Sequence, residues 1–390
     1  MITRTARART PLLTVMLVAA LVMPAWAQQG APIAIGPQVQ NVSDISATIC
    51  WATVAGQVNY APAGAEVTPL HAYEHHSVRL QNLKPGTTYT YDVLGDGTDL
   101  GKGAFTTAPQ GEHPFSFAVV GDTQNRNNLA HRPIAERIIA EKPDLVFNVG
   151  DLVSDGLDIL DWETFFQVNA DLMRSIPYYA ALGNHDREAR YFFDFFALPG
   201  NERWYSFNRG AAHFVVLDVV GPYISETDPP PSKGDMALFF QAGAEHWRRQ
   251  MEWLKQDLED SRQAKYVFVF FHYPMYSVNT KQDIPRDMRQ HFGTIFQDHQ
   301  ASVVFNGHNH NYHRAVAGGV TFVVTGVSGP GSTAMPQPES VKYAGGPTHM
   351  RVEVGPQKAV VRAIGLNGET VDEFEVAPRA ASAAAPTSAK

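Results

Sequence analysis

The distribution of apolar and polar residues divides the chain into two regions that meet near residue 110. In the first region, from about residue 33 to residue 107, apolar and polar residues alternate over short segments that turn residues separate. Residues 47–53 are an example, because Ile49 and Trp51 fall on one face of an extended chain and Cys50 on the other. The same pattern predicts strands at 58–60, 76–80, 89–93 and 102–106. Strands of this length and spacing indicate a small all-β sandwich.

From Phe115 onwards, apolar runs alternate with longer amphipathic segments. We predict strands at 115–120, 145–149, 178–182, 214–219, 266–271 and 302–305, and helices at 129–141, 162–174 and 245–262. The alternating segments 351–354, 359–364 and 373–376 predict closing strands. Strands that alternate with helices are typical of an α/β fold. Residues 107–114, with two prolines and a glycine, indicate a linker between the two regions.

The first 27 residues follow the pattern of a secretory signal peptide. Three arginines at 4, 7 and 9 form a basic start, residues 11–23 are mostly apolar, and Ala25-Trp26-Ala27 is a small-x-small cleavage site. We therefore predict cleavage after Ala27 and a periplasmic or secreted protein. The alternative is an uncleaved anchor, but this apolar run and every other one is shorter than the ~20 residues of a membrane-spanning helix. We expect no stable membrane span.

Charge and cysteine content limit the partners and the sources of stability. The formal net charge is −8, and removal of three arginines and no acidic residue changes it to −11. Sequence-independent binding of nucleic acids requires a basic surface, so we expect no nucleic-acid partner. A small phosphorylated substrate would have to be attracted locally, for instance by metal ions. Cys50 is the only cysteine, so an intramolecular disulfide is excluded.

Five short polar motifs follow apolar runs in the second region. They are Gly-Asp-Thr-Gln at 121–124, Gly-Asp-Leu at 150–152, Gly-Asn-His-Asp at 183–186, Phe-His-Tyr-Pro at 271–274 and Gly-His-Asn-His at 307–310. We expect all five at one edge of a sheet, where α/β folds bind ligands. His308 and His310 are too close in sequence to share one tetrahedral ion comfortably, but each can serve one ion of a close pair. The mixed oxygen and nitrogen donors suit Fe, Mn or Zn.

The order and spacing of these motifs resemble the calcineurin-like metallophosphoesterase superfamily and, together with the N-terminal β unit, the purple acid phosphatases. Residues 83–91 resemble the corner that leads into a late strand of fibronectin type III domains. The resemblance implies a two-sheet β-sandwich flanked by helices, preceded by a small fibronectin III-like sandwich. It also implies domain boundaries at 28–108 and 114–378, with a disordered tail at 379–390.

The resemblance assigns a role to each polar residue of the motifs. Asp122 and His310 would bind the first metal ion, Asp151 would bridge both ions, and Asn184, His272 and His308 would bind the second. Two ions about 3.5–4 Å apart can polarise a phosphoryl group, generate hydroxide and stabilise the leaving oxygen. His185 would face the substrate, where it would stabilise the transition state or protonate the leaving group. Asp186 could orient the His185 imidazole.

Two positions depart from the family pattern, and both concern the first metal ion. Purple acid phosphatases have a metal-binding tyrosine three residues after the bridging aspartate, where this chain has Ser154. Many other superfamily members have a histidine two residues after the first aspartate, where this chain has Gln124. The sequence leaves open whether the Gln124 amide oxygen or a water molecule completes the site. We predict a centre that lacks the purple colour of tyrosinate–iron.

The function that these residues predict is an exported, dinuclear metal-dependent phosphatase. It would hydrolyse phosphate monoesters by direct attack of metal-bound hydroxide. One alternative is a phosphodiesterase acting on nucleotide or lipid-headgroup diesters, because the motifs do not separate monoesters from diesters. An alternative of another class is a catalytically inactive binding protein, which the missing tyrosine and histidine keep open.

Overall fold

The computed structural model describes residues 13–18, 33–60, 68–95, 98–125, 129–221, 235–278, 283–327 and 335–380. Within these residues the chain forms nineteen strands and five helices. Most of the expected signal segment and the tail from residue 381 lie outside the described residues. Among the described helices, none combines the length and the apolar character that a membrane crossing requires.

The N-terminal region consists of two small sheets, as the alternating pattern predicts. One is antiparallel and contains β2 (Ile33–Gln40), β3 (Ala47–Tyr60) and β4 (Thr68–Leu80). The other contains the antiparallel pair β5 (Thr88–Gly95) and β6 (Thr98–Thr106), with β1 (Leu13–Val18) parallel to β5. The strands predicted at 47–53 and 58–60 are one long strand, β3. Because β1 lies in the segment expected to be cleaved, the mature sandwich is predicted to contain β2 to β6.

A tyrosine contact marks the turn that leads into β5. The backbone N–H of Lys84 donates a hydrogen bond to the Tyr89 hydroxyl at 2.8 Å. In immunoglobulin-like sandwiches, a tyrosine near the start of a late strand makes the same kind of bond to backbone a few residues upstream. The contact agrees with the resemblance of residues 83–91 to a fibronectin III corner. The fibronectin type III assignment itself stays a prediction.

The second region is built from two larger mixed sheets. One has the strand order β19-β18-β17-β7-β8-β9 and the other β10-β11-β12-β13-β15-β14-β16. The first comprises β7 (Phe115–Val120), β8 (Leu145–Asn148), β9 (Tyr178–Ala180), β17 (Thr348–Val354), β18 (Ala359–Gly365) and β19 (Thr370–Val376). The second comprises β10 (Tyr205–Arg209), β11 (Ala212–Val216), β12 (Tyr266–Phe270), β13 (Val303–Asn306), β14 (Asn311–Ala317), β15 (Val320–Val324) and β16 (Ser340–Gly345).

Aromatic side chains fill the space between these two sheets. Phe147 of β8 stacks on Phe270 of β12, with ring centroids 4.0 Å apart, and Phe117 of β7 meets Phe268 of β12 edge to face at 5.0 Å. All four side chains are fully buried. Contacts between opposite sheets identify a sandwich, so the predicted two-sheet architecture is confirmed.

Five helices accompany the sheets. They are α1 (His131–Glu141), α2 (Ile159–Met173), α3 (Arg190–Phe195), α4 (Asp235–Asp260) and α5 (Asp283–Asp298). The sequence pattern located α1, α2 and most of α4, but it missed α5 and the short α3. The Asp158 side chain accepts the backbone N–H of Leu160 at 3.0 Å and so caps α2.

The two regions pack against each other through β2 and the segments around α2 and α3. The Gln38 amide donates a hydrogen bond to the Phe195 carbonyl at 2.7 Å, and the Tyr91 hydroxyl donates to the Arg174 carbonyl at 2.8 Å. Both bonds lie in buried or partly buried surroundings. The N-terminal region therefore supports the chain before and after the motif at 183–186.

The five polar motifs follow the carboxyl ends of β7, β8, β9, β12 and β13. The first three strands run parallel to one another in one sheet, whereas β12 and β13 are parallel neighbours in the other. The expectation of one sheet edge is therefore wrong. The motifs meet where the edges of two packed sheets come together, which surrounds the site from both layers of the sandwich.

Candidate metal centre

Three of the motif residues other than glycine have a left-handed backbone. Asp122, Asp151 and His308 have φ angles of 54°, 55° and 68°. Residues other than glycine rarely adopt this conformation, and such residues cluster at functional sites. A side chain at Gly183 would overlap the Asp151 backbone nitrogen, so only glycine permits these two loops to pack together. The close contact between the Gly183 loop and the Asp151 loop therefore depends on backbone conformations that few residue types adopt.

One group of side chains, which we call the second-ion half, consists of Asp151, Asn184, His272 and His308. The Asn184 Oδ1 lies 3.0 Å from His272 Nε2 and 3.1 Å from His308 Nδ1. Candidate ligand atoms of Asp151, His272 and His308 all lie within 4.8 Å of one another. His272 Nδ1 donates to the Val149 carbonyl at 2.9 Å, which orients Nε2 towards the group. These donors converge closely enough to hold one ion.

The other group, the first-ion half, consists of Asp122, Gln124 and His310 and shares Asp151. Asp122 is fully buried, and its Oδ2 has no hydrogen-bond partner among the described residues. Its Oδ1 accepts the His308 backbone N–H at 2.8 Å and lies 3.7 Å from His310 Nε2. A buried carboxylate oxygen without a partner is costly, and a cation would remove that cost. The donor set therefore fits a metal ion here as well.

Gln124 lies at the centre of the first-ion half. Its Nε2 is 3.2 Å from Asp151 Oδ2 and 3.2 Å from His310 Nε2. The amide oxygen and nitrogen of glutamine exchange places when the terminal group rotates by half a turn. Gln124 is thus within reach of the residues that would hold the first ion, at a position where either amide atom can face them.

Ser154 is engaged in two hydrogen bonds beside this group. Its hydroxyl accepts the Asn125 backbone N–H at 2.7 Å, and its carbonyl lies 2.9 Å from His185 Nδ1. A carbonyl oxygen only accepts, so Nδ1 of His185 carries the hydrogen. Ser154 therefore connects the first motif loop to the loop that carries His185.

The charges in the two halves influence one another. Burial raises the pKa of Asp122 well above its usual range, and the neighbouring Asp151 carboxylate raises it further. Burial also acts to raise the pKa of Asp151, but the charge and hydrogen bond of His272 outweigh it and lower that pKa. Burial tends to lower the pKa of His272, yet Asp151 raises it to about 9. A metal ion requires the neutral imidazole, so metal binding has to release the proton that Asp151 stabilises on His272.

The expectation that Asp186 orients His185 is wrong. Asp186 is fully buried, and its carboxylate accepts four backbone N–H groups, those of Asp151 (3.0 Å), Gly183 (2.8 Å), Leu152 (2.9 Å) and Val153 (3.2 Å). Both carboxylate oxygens are occupied by these bonds. Asp186 holds the loops of the second and third motifs together, and the Ser154 carbonyl makes the contact with His185 instead.

Two further features support the site, although the sequence motifs did not indicate them. Asn148, at the end of β8, accepts the Gly150 N–H at 3.0 Å and donates to the Tyr178 hydroxyl at 3.0 Å. The signal was present as a lone polar residue at the end of an apolar strand. Arg203 forms an ion pair with Glu188, just beyond the His185 loop, and contacts Asp218 at 3.2 Å. Only the fold brings these three residues together.

Comparisons with known proteins agree with this geometry. The model of the calcineurin-like phosphoesterase family matches residues 115–312. Purple acid phosphatase 21 of Arabidopsis thaliana is 27% identical over 257 residues, which cover 61% of this chain and 53% of that protein. The uncharacterized protein Rv2577 of Mycobacterium tuberculosis is 27% identical over 293 residues, which cover 65% of this chain and 52% of that protein. The chain spans about half the length of these curated relatives.

A solved structure supports the fold. The purple acid phosphatase PPD1 from yellow lupin (Lupinus luteus) seeds superposes with a TM-score of 0.68 at 16% identity, covering 89% of this chain and 74% of that one. The match includes most of both regions of the chain. At this identity it is evidence for the architecture alone.

Proposed function

The chain belongs to the calcineurin-like phosphoesterase family, and from this premise we propose that it is an exported, dinuclear metal-dependent phosphatase acting on phosphate monoesters. The observation that carries the proposal is the convergence of Asp151, Asn184, His272 and His308 beside a buried Asp122 oxygen that has no hydrogen-bond partner among the described residues. These groups lie at the meeting edges of the two sheets. An unpaired buried carboxylate oxygen destabilises the fold, so a purely structural hydrogen-bond network does not account for it.

Each half of the centre would hold one ion. Asp122, Asp151 and His310 would bind the first, and Asp151, Asn184, His272 and His308 the second. When bound, Fe, Mn or Zn ions supply Lewis acidity to the phosphoryl oxygens and activate water for direct attack on phosphorus. The chain has a net charge of −8, so a phosphate group has to be attracted locally, and ions held by these buried donors would supply the positive charge.

His185 would handle a proton at the exposed side of the centre. Its side chain is exposed, and its Nδ1–H is committed to the Ser154 carbonyl. The remaining nitrogen, Nε2, can donate a proton to the leaving oxygen, or a hydrogen bond to the phosphoryl group, when the ring is protonated at both nitrogens. The Ser154 carbonyl fixes the tautomer, which a carboxylate does in other acid–base pairs.

Gln124 would complete the first-ion half through its amide oxygen. The amide already lies between Asp151 and His310, and half a turn of its terminal group brings the oxygen to that position. Ser154 supplies no phenolate, and its hydroxyl is engaged by Asn125. We therefore expect the iron-loaded protein to lack the visible band of tyrosinate–iron. Such a band in the wild-type absorption spectrum would contradict this ligand set.

Export and domain boundaries belong to the same proposal. The basic start and the apolar run of residues 1–27 support a signal peptide, with cleavage after Ala27. Residues 28–108 would form the N-terminal sandwich, which supports the metallophosphoesterase domain at 114–378. Mass spectrometry of the exported protein tests the cleavage site, because a mature N-terminus other than Gln28 contradicts it.

The test of the activity compares p-nitrophenyl phosphate with bis-p-nitrophenyl phosphate, using protein loaded separately with Mn, Zn or Fe. Faster turnover of the monoester that a chelator abolishes is the expected result. Faster turnover of the diester would instead support a phosphodiesterase. If metal-loaded protein hydrolysed neither compound nor any of a panel of phosphate esters, the inactive binding protein would be the better account.

A further inference from the structure

Away from the candidate metal centre, a cavity lies between the sheet formed by β2, β3 and β4 and the segment that contains the end of α3 and the residues after it. Its volume is about 220 Å³. Gln38 and Ser77 flank Cys50 in the register of β2, β3 and β4, and all three line the cavity, opposite residues 193–197 and Glu202. A water molecule occupies roughly 30 Å³ in the liquid, so the cavity has room for a compact molecule rather than for a single water.

The charge of this cavity is negative. Glu202 and Asp194 contribute carboxylates, and none of the described lining residues is lysine or arginine. Asp194 is already paired with Arg190 at 2.9 Å. Glu202 accepts only the Leu198 backbone N–H, at 3.2 Å, among the described residues, and burial raises the pKa of its carboxyl group. A half-buried carboxylate without a basic partner favours a cation as its complement.

Gln38 adds an unsatisfied acceptor to the same cavity. Its side chain is 1% exposed, and its Nε2 donates to the Phe195 carbonyl at 2.7 Å. That bond leaves the amide oxygen, which has no hydrogen-bond partner in the described part of the chain. A buried carbonyl oxygen of this kind requires a donor. Glu202 and Gln38 therefore call for a donor. The Trp51 indole N–H, which also lines the cavity and has no hydrogen-bond partner among the described residues, calls for an acceptor such as a hydroxyl oxygen.

Aromatic rings form part of the wall. Phe193 and Phe195 line the cavity. The Arg203 guanidinium already lies over the Phe193 ring at 4.9 Å, and the His75 ring meets Phe195 at 4.7 Å between centroids. Aromatic faces attract organic cations, and the attraction grows when water is excluded. Cys50, His75 and Glu202 are also residue types that bind metals. Among the described residues, however, the one converging group of such donors is Asp151, His272 and His308, so a metal ion is not the favoured occupant.

We propose that this cavity binds a compact organic ammonium ion, with Glu202 as its counter-charge and Gln38 and Phe195 as further contacts. The site is separate from the candidate metal centre. The proposal does not rest on phosphatase activity, and a chain without any hydrolytic activity would still contain the cavity.

Isothermal titration of the whole protein with choline tests the proposal, with 3,3-dimethylbutan-1-ol as the neutral molecule of the same shape. We expect one choline per chain and at least about tenfold weaker binding of the neutral alcohol, because the alcohol lacks the charge that faces Glu202. Equal binding of both compounds, or no binding of choline, would overturn the proposal.

Two substitutions locate the ligand. Glu202→Gln keeps the shape of the side chain and removes its charge, and we expect about tenfold weaker choline binding. Glu375→Gln, a change of an exposed glutamate on β19, serves as the matched control and should leave binding unchanged. Ser77→Leu fills the cavity without a change of charge and should abolish choline binding. This second variant keeps the test informative if Glu202→Gln folds poorly. Full choline affinity in Ser77→Leu would place the ligand elsewhere and refute the assignment.

Discussion

The two halves of the candidate metal centre differ in how closely their candidate ligands contact one another and in how exposed those ligands are. In the second-ion half, the Asn184 oxygen lies within 3.1 Å of ring nitrogens of both His272 and His308. In the first-ion half, an oxygen of Asp122 has no partner among the described residues, and 35% of the His310 side chain is exposed. The residues of the second-ion half follow the family pattern, whereas both departures concern the first-ion half, since Gln124 belongs to it and Ser154 lies beside it. The meeting edges of the two sheets thus place a more closed half and a more open half side by side.

The largest effect should come from Asp151, the one side chain that both halves share. We expect Asp151→Asn to lower kcat on p-nitrophenyl phosphate by roughly 10³-fold or more, because loss of one carboxylate charge weakens both ion sites. The metal content after dialysis should fall from two ions per chain. Asp171→Asn, which changes an exposed carboxylate on α2, is the control. A folded Asp151→Asn protein with wild-type activity would show that the halves do not share this ligand.

Asp186 provides the next test, since its carboxylate fastens the Asp151 loop to the Gly183 loop. Asparagine keeps one acceptor oxygen and replaces the other by an N–H₂ group, so two of the four backbone N–H groups lose their partner. At about 2 kcal/mol for each unsatisfied buried group, Asp186→Asn should lower the free energy of unfolding by about 4 kcal/mol. Urea unfolding of metal-free protein measures this difference.

The same variant separates a structural role from a catalytic one. If Asp186 acts only through the loops, Asp186→Asn protein that has been stabilised by saturating metal should recover much of the wild-type kcat. A kcat that stays as low as that of Asp151→Asn, in folded protein with two bound ions, would restore a direct role for Asp186 in the chemistry.

The sequence predicted the parts of this site that depend on position along a strand. Asp122, Asp151, Asn184, His272 and His308 each follow an apolar strand, and strand ends converge in any packed sandwich. The two-sheet architecture and the N-terminal all-β unit came from the same periodic patterns and from the family resemblance. Metal-ligand roles for these residues stay predictions that the variants above address.

The sequence could not predict contacts that depend on loop geometry. Asp186 follows His185 directly, so proximity suggested that the two interact. In the fold, the Asp186 carboxylate turns inwards to four backbone N–H groups, and Ser154, from another loop, meets His185. Helix α5 was missed although Ile284, Met288, Phe292, Ile295 and Phe296 recur at helical spacing, because a proline stands at its third residue. Proline is tolerated in the first turn of a helix, which the prediction did not take into account.

At low pH we expect the fold to lose stability at His131, a buried residue that packs beside the first-ion half. His131, the first residue of α1, lines a small cavity together with Gln124 and Ser154. Burial lowers the pKa of His131 from 6.5 to about 4, although its bond to Asn169 acts in the opposite direction. Below pH 6.5 the unfolded chain binds a proton that the folded chain rejects, so stability is full above pH 6.5 and is lost as the pH falls towards 4. The shift corresponds to about 3 kcal/mol.

Urea unfolding of metal-free protein between pH 7 and pH 4 measures this loss. His131→Gln removes the titrating group and keeps a polar side chain near Asn169, so its stability should depend less steeply on pH in that interval. His299→Gln, a change beyond the end of α5, is the control. An unchanged slope in His131→Gln would show that another group responds to the acid.

The smallest effects should separate the two halves most clearly, because they concern one ion each. Asn184→Ala removes a donor of the second-ion half, and Gln124→Ala removes the proposed donor of the first. Changes around metal sites lower affinity by roughly 10- to 100-fold, and the Gln124 effect should lie at the weaker end because an amide is a poorer donor than imidazole or carboxylate. Competition titrations of Mn²⁺ or Zn²⁺ against a chelator should resolve two binding steps. Asn184→Ala should weaken the tighter step and Gln124→Ala the weaker one.

Gln124→His is the complementary variant, since an imidazole at that position should strengthen the weaker step and bring the affinities of the two halves closer together. If Gln124→Ala and Gln124→His both leave that step unchanged, Gln124 is not a ligand, and the openness of the first-ion half reflects a place filled by water.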